Sequence, residues 1–361
     1  MSVAVRPLRV VVVDDSAFNR RTITDLLSSI PGVDVVGKAA DGEEALKLVL
    51  GQRPDLVTLD LEMPKMDGFT FLKLLMARQP TPVLVVSGRG AKTDVFKALE
   101  LGALDFIVKP STIVTTELAT IRQLLQEKVA MVRQLRPLGS PSRERAATAT
   151  GLIRLPQVDG TRPQPTEINP RRLVVIGAST GGPPALVEIF SRLPSDLPAS
   201  IVIAQHMPER FTTTFADRLE RLSGVRVSEL EDREQLRPGR AFVCPGGKCV
   251  EVQPSGNSMW ARVMAPESED RYQPSVDRLF RSAAASYGTR VLGVVLTGMG
   301  DDGTKGAEAI KKAGGMVFSE SVETAAIWGM PGSVERAGLA DRSIPIQSIA
   351  EAIVRVCTER R

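Results

Sequence analysis

The sequence predicts an α/β protein of two doubly wound parallel-sheet domains joined by a flexible linker, and three observations carry that prediction. Short apolar runs alternate with amphipathic helical stretches from Leu8 to about residue 125, and do so again from about residue 171 to the end. Repeated βα units of this length build a parallel sheet covered by helices on both faces. Between the two halves, Arg136–Arg171 holds Pro137, Gly139-Ser140-Pro141-Ser142, an Ala/Thr run over Ala146–Thr150, then Pro156, Pro163, Pro165 and Pro170. Such a composition has little capacity to build a core. Finally, 361 residues suit two cores better than one. The boundaries so read are 1–125 for the first domain, 126–170 for a helical extension and linker, and 171–361 for the second.

Composition narrows the class. Hydrophobic content of 43% and charged content of 24% are those of a soluble globular protein. No apolar run approaches a membrane span, and the opening MSVAVRPLRVVVVDDS meets acids too early for a signal peptide. Three cysteines, Cys244, Cys249 and Cys357, lack zinc-site spacing and are too few for a disulfide framework. A reduced, cytoplasmic protein without membrane insertion is expected. The net charge of +4 comes from dispersed arginines, and aromatics are only 4%; neither favours nucleic acid as a partner. His206 is the only histidine, so chemistry that needs an imidazole has one candidate.

In the first domain the predicted strands are Leu8–Val13, Val33–Ala39, Asp55–Leu59, Val83–Val86 and Asp105–Val108. Helical patterns fall at Arg20–Ser29, Glu43–Leu50, Phe69–Arg78 and Thr93–Leu101, with a fifth after Ile113 that extends as a long pattern over Glu117–Leu135. Ligands of such sheets sit at the carboxyl ends of the strands. There the sequence places Asp14 and Asp15, Asp60, Ser87, and Lys109-Pro110. Three converging carboxylates repel one another unless a cation joins them, and oxygen-only ligands suit Mg²⁺. Lys109 adds a positive charge and Ser87 a donor, a set able to stabilise a phosphoryl group passing to a carboxylate. Solvated loop acids explain any one of these residues, but poorly explain five on the ends of four strands.

Val11–Ser16 (VVVDDS), Thr58–Gly68 (TLDLEMPKMDG) and Asp105–Pro110 (DFIVKP) resemble the flavodoxin-like receiver domain of two-component response regulators. The resemblance implies Asp60 as phosphoacceptor, with Mg²⁺ held by Asp15 and Asp60 directly, by Asp14 through water and by the Glu62 main-chain carbonyl. It implies Ser87 and Lys109 on the phosphoryl oxygens, Phe106 as an aromatic rotamer switch, and a cis Lys109–Pro110 peptide.

The second domain centres on Leu173–Leu186, LVVIGASTGGPPAL. An apolar strand runs into Gly177-Ala178-Ser179-Thr180-Gly181-Gly182 and then a helix. A hydroxyl on a sharp strand-to-helix turn stands clear of the sheet beside unpaired N–H groups, which suits a nucleophile next to an anion-stabilising pocket. The competing reading, a phosphate or dinucleotide cradle, is weakened because GASTGG is neither G-x-G-x-x-G nor a loop ending in G-K-[ST]. Predicted strands are Leu173–Ile176, Ser200–Ala204, Ala241–Cys244, Val291–Leu296 and Met316–Phe318. Predicted helices are Pro184–Leu193, Phe211–Leu222, Ser275–Tyr287, Lys305–Ala313 and Ser348–Val356. Cys249–Gln253 and Met259–Val263 read as a hairpin turning at Pro254–Asn257.

Three of these strands end in polar loops carrying Ser179, His206, and Asp301-Asp302. Delivered to one sheet edge, they make a Ser-His-Asp triad feasible, although the chain order Ser…His…Asp is not that of the familiar hydrolases. Oxyanion donors would come from the turn amides and from Gly298-Met299-Gly300. Singly, Ser179 reads as a helix cap, His206 as a strand-end residue, and the two aspartates as helix starters; all three at once is the less economical account. Position alone does not choose Ser179 over Thr180, or Asp302 over Asp301.

GASTGG, QHM (Gln205–Met207), PSVD (Pro274–Asp277), LTGMGDDG (Leu296–Gly303) and GMPG (Gly329–Gly332) resemble the chemotaxis protein-glutamate methylesterases, which share this receiver–linker–esterase order. The resemblance implies Ser179 as nucleophile, His206 as base and Asp302 as its orienting group, with the Met299 N–H at the oxyanion and Thr180 beside it. It implies hydrolysis of glutamyl γ-methyl esters on chemoreceptor helices with release of methanol, and in some members deamidation of glutamine. A chemotaxis histidine kinase as phosphodonor, methylated chemoreceptors as substrate, and a monomer needing no cofactor for the ester step complete the expectation. Cys249 and Tyr272-Gln273 depart from the family pattern outside the triad; both are candidates for the place where the receptor helix docks, and no role is assigned to Cys249. The receiver is expected to cover the Ser179 cleft until Asp60 is phosphorylated. The alternatives are a phosphorylation-controlled binding module with a vestigial esterase site, a nucleotide-binding output domain, and a methylesterase of a non-flagellar chemosensory-like pathway.

Overall fold

The computed structural model describes residues 6–88, 92–109, 115–133, 135 and 169–359, and these separate into two compact units, Met1–Ile153 and Arg154–Arg361. The expected linker lies outside the described residues except at its last positions, as does the Lys109–Pro110 peptide.

The first unit runs β1 (Leu8–Val13), α1 (Ala17–Ser28), β2 (Val33–Ala39), α2 (Gly42–Gln52), β3 (Leu56–Leu59), α3 (Gly68–Arg78), β4 (Val83–Ser87), α4 (Lys92–Glu100), β5 (Asp105–Val108) and α5 (Thr115–Val132). Its sheet has the order β2-β1-β3-β4-β5 with every pair parallel. The order reverses between β1 and β3, which opens a crevice at their carboxyl ends. Val10, Val12, Leu56, Leu84 and Ile107 bury one face of the sheet against Ile23, Leu27, Leu125 and Val129. Helices α1 and α2 begin earlier than their apolar periodicity predicts, because polar caps start them. Ser16 accepts from the Asn19 N–H, and Asp41 accepts from those of Glu43 and Glu44.

The second unit holds a seven-stranded parallel sheet of order β15-β14-β13-β6-β7-β10-β8. Its strands are β6 (Arg172–Ala178), β7 (Ala199–Gln205), β8 (Arg226–Glu229), β10 (Arg240–Val243), β13 (Val291–Val295), β14 (Met316–Glu320) and β15 (Arg342–Ile344). The helices are α6 (Gly182–Phe190), α7 (Phe211–Leu222), α8 (Val276–Tyr287), α9 (Thr304–Lys312), α10 (Met330–Arg336) and α11 (Ile346–Thr358). From β6 the chain moves to β7 on one side and later returns to β13 on the other. Right-handed crossovers then place helices on both faces. Leu279, Phe280, Ala283, Ala307 and Ile310 of α8 and α9 bury one face together with Leu173, Val175, Val291 and Val295.

A separate antiparallel sheet joins β9 (Arg233–Gln235) to the hairpin of β11 (Cys249–Ser255) and β12 (Ser258–Met264). The hairpin is longer than predicted: Ser255 pairs with Ser258, leaving a two-residue turn in which Gly256 has φ +59°, as such turns demand. Strands β8, β9 and β15 and helix α10 carry no sequence signal of the kind used above. The strands are short, rich in charge and at sheet edges, where apolar runs are a liability.

Candidate active site and phosphoacceptor site

The switch point of the second sheet lies at β6, the strand that leads to Ser179. Ala178 pairs with Gln205 on β7, and Gly177 pairs with Val295 on β13, so three adjacent strands end level with one another. Ser179–Gly182 closes a tight turn through Gly182 N–H to Ser179 C=O at 2.8 Å. Gly181, at its third position, has φ +77° and ψ −5°, the conformation that favours glycine in a type II turn. Ser179 N–H donates to Thr297 C=O at 3.0 Å. A Cβ on Gly298 would lie 2.7 Å from Ser179 Cβ, so the Gly298-Met299-Gly300 loop rests directly against the serine. Ser179 and Thr180 are both buried.

His206 extends from the end of β7, with Nε2 2.8 Å from Asp302 Oδ2. An ionised carboxylate only accepts, so Nε2 carries the proton and the Nδ1 lone pair is left for a hydroxyl. Among the described residues no hydrogen bond joins Ser179 to the ring. Asp302 also accepts from Val276 N–H at 2.8 Å through Oδ2, and through Oδ1 from Asp277 N–H at 2.9 Å and Gly303 N–H at 3.1 Å. Its carboxylate therefore caps α8, where the helix dipole favours negative charge. Asp277 returns the arrangement, accepting at the start of α9 from Gly303 N–H at 2.9 Å and Gly306 N–H at 2.7 Å. Burial, then the Asp302 charge, raise the Asp277 carboxyl above its usual value against the pull of those N–H groups. Asp301 is exposed, 3.6 Å from Arg271 Nη1, and does not share in this contact.

Several neighbours have contacts at the site that the sequence did not assign them. The Tyr272 ring stacks on His206 at 4.8 Å between centroids and 8° between planes. Gln205, fully buried, donates from Nε2 to the carbonyls of Ser179 and His206. Thr297 Oγ1 donates to Thr180 C=O at 2.9 Å, and Thr297 N–H to Glu320 Oε2 at 2.9 Å. Gln205 lies within the quoted QHM motif and Tyr272 was named as a departure from the family pattern, but nothing in their spacing reveals where they point. Cys249 is buried on β11, with Sγ 3.5 Å from Asp270 Oδ2 and its thiol pushed up to about 11 by burial.

In the first unit, ligand oxygens of Asp14, Asp15 and Asp60 lie within 4.8 Å of one another. Lys109 Nζ is 2.8 Å from Asp14 Oδ2 and also bonds Asp60. Burial, reinforced by the Asp60 charge, raises the Asp14 carboxyl despite Lys109. Burial alone would lower the Lys109 ammonium; its bonds to Asp14 and Asp60 prevail and raise it. Glu62 follows the cluster, its N–H 3.4 Å from Asp60 Oδ1. Ser87 is buried at the end of β4, and its carbonyl accepts the Lys109 N–H at 2.7 Å. Arg20, which the sequence did not single out, donates from Nη1 to Asp14 C=O at 2.6 Å and so braces the acidic loop. Phe106 is buried.

A flavodoxin-like domain with an acidic pocket and a half-buried lysine, in one chain with a hydroxyl, imidazole and carboxylate at a sheet's switch point, defines a hydrolase coupled to a receiver. Profiles of the response regulator receiver domain and of CheB methylesterase match residues 10–121 and 174–353. The protein-glutamate methylesterase/protein-glutamine glutaminase 3 of Geobacter sulfurreducens is 44% identical, covering 98% of this chain and 98% of its own. The protein of the same activity numbered 6 in Anaeromyxobacter dehalogenans is 45% identical over 99% of this chain and 97% of its own. The crystal structure of the Thermotoga maritima CheB methylesterase catalytic domain superposes with a TM-score of 0.50 at 39% identity, covering 51% of this chain and 98% of that one. The chain belongs to the CheB family of receiver-regulated protein-glutamate methylesterases.

Proposed function

We propose that this protein hydrolyses glutamyl γ-methyl esters on the cytoplasmic helices of chemoreceptors, through Ser179, His206 and Asp302, when Asp60 is phosphorylated. The observation that carries the reading is the Asp302–His206 contact one strand from Ser179. Ser179 Oγ attacks the ester carbonyl and His206 Nδ1 takes its proton. The tetrahedral oxyanion is received by the Met299 N–H, with Thr180 beside it. Collapse expels methanol, which leaves with the proton from His206. Water, deprotonated by the same nitrogen, then frees the glutamate from Ser179. Asp302 holds the imidazole in the Nε2–H form and steadies the imidazolium. An amide in place of the ester follows the same course with ammonia leaving, which gives glutamine deamidation.

In the receiver, a chemotaxis histidine kinase supplies the phosphoryl group to Asp60. Asp14, Asp15, Asp60 and the Glu62 carbonyl are hard oxygen donors fitted to Mg²⁺, which when bound neutralises phosphoryl oxygens. Lys109 and Ser87 hold those oxygens from the other side. Transfer replaces the Asp60 carboxylate with an acyl phosphate carrying about −1.5 to −2 charge, and this charge governs turnover at Ser179.

Methanol release from methylated receptor cytoplasmic fragments, measured with and without a small-molecule phosphodonor, tests the whole reading. Turnover that rises with the phosphodonor and falls about 10⁴–10⁶-fold in Ser179→Ala is expected. Undiminished release by Ser179→Ala overturns it.

A further inference from the structure

We infer that Gln205 is a positioning residue for the ester-cleaving step, tying the backbone of the nucleophile to the backbone of the base. The inference rests on the Ser179–His206 reading above. Its side-chain amide donates to Ser179 C=O at 2.9 Å and to His206 C=O at 3.0 Å. Both N–H groups are thereby used on the two residues whose separation decides whether a proton can pass between them. No other side chain among the described residues makes a bond to both.

The amide's orientation is forced. Two carbonyls can only be met by the NH₂ end, so Oε1 must face the other way. There it is buried and finds no donor among the described residues. It lies where Gly182 has no side chain: a Cβ at that position would stand 2.0 Å from Oε1. A buried polar group with one end unmet is costly and calls for an explanation other than stability. A flexible strand end would let Ser179 and His206 drift apart, and a misplacement of about 1 Å can cost on the order of 10²-fold in rate. The clamp adds to the bond from His206 N–H to Ala178 C=O at 2.9 Å, because the Ser179 carbonyl is held by Gln205 and along the chain by Gly182 N–H.

Gln205→Met keeps the length of the side chain and deletes both donors. Gln205→Glu keeps the shape and, as a carboxylate, turns both attractions into repulsions. In the full-length protein, Gln205→Met is expected to lower kcat about 10- to 100-fold with KM changed by less than about 3-fold and an unaltered melting temperature. Gln205→Glu is expected to lose more. Labelling of Ser179 by a fluorophosphonate slows in parallel, a readout that overall stability does not move while the protein is folded. Should Gln205→Met fail to fold, Gln205→Asn, which keeps an amide too short to span both carbonyls, carries the same test through kcat and the labelling rate. Wild-type kcat and labelling rate in both variants overturn the inference, as does a loss of activity that only follows the folded fraction. A Ser179→Ala protein that still releases methanol strikes instead at the underlying triad reading, so the two failures are distinguishable.

Discussion

His206 Nε2 and Asp302 Oδ2 lie 2.8 Å apart, and the same carboxylate oxygen accepts the Val276 N–H that opens α8. One acid therefore fixes an imidazole and starts a helix, which couples the tautomer of the base to the packing of the domain.

Asp302→Asn tests that coupling. An amide has one accepting oxygen, and the helix N–H groups compete for it. Its NH₂ end then faces the ring and drives the imidazole proton to Nδ1, the nitrogen needed as base. A fall in kcat of about 10³–10⁴ is expected, measured as methanol release from protein shown to be folded by circular dichroism. Retention of kcat would place the base's orientation elsewhere.

Tyr272 provides a second handle on the ring. A cation on an aromatic face gains about 0.5–2 kcal/mol, and in the proposed mechanism the His206 imidazolium forms against the face on which its ring stacks. Tyr272→Ala is expected to lower kcat about 3- to 30-fold, while Tyr272→Phe, which keeps the stack, stays within about 2- to 3-fold of wild type. Equal losses in both variants would assign the effect to the hydroxyl, which approaches Gly300.

Asp277 makes stability depend on pH in a stated direction. Its carboxyl is raised above 3.8 by burial first and by Asp302 next. An acid raised on folding contributes stability that is complete below the unfolded value and is lost as pH climbs through the folded one. Asp277→Asn keeps an acceptor for Gly303 and Gly306 and does not ionise. Urea denaturation should show the variant gaining on wild type as pH rises above 3.8; a difference that is flat with pH, or of the opposite slope, contradicts this.

Asp60→Asn removes the proposed phosphoacceptor and changes no residue of the second unit. Stimulation by phosphodonor is expected to vanish while unstimulated methanol release is unchanged. Stimulation that persists would move the acceptor to another residue of the acidic cluster.

The three cysteines are buried, and burial raises the thiols of Cys249 and Cys357 to about 11 and about 12, with that of Cys244 also raised. Since the thiolate is the reactive form, a thiol reagent near neutral pH should titrate them only on unfolding. Prompt reaction in the native protein would refute their burial.

How far the site was legible follows from where its parts lie along the chain. Asp14, Asp60, Ser179 and His206 each follow a run of buried apolar residues, and a strand's end is visible wherever such a run stops. The choice between Asp301 and Asp302 was not visible, because both occupy one loop and only the packing of α8 against it brings Asp302 to the ring. The burial of Cys249 was not visible for a related reason: its place in the chain says nothing of which side of β11 faces inward. Short charged strands such as Arg342–Ile344 left no trace, since they pair by backbone and bury little.

By itself the sequence determined two parallel α/β domains, an acidic pocket in one and a hydroxyl and a solitary imidazole at strand ends in the other, because burial leaves a period in the chain and strand ends interrupt it. Only the tertiary structure decided that Asp302 meets His206 through Nε2, that Tyr272 covers the ring, and that Gln205 holds two carbonyls at once. Those contacts join residues as far apart as positions 206 and 302, and hydrogen bonds of about 3 Å are set by how helices and strands pack, which no local pattern records.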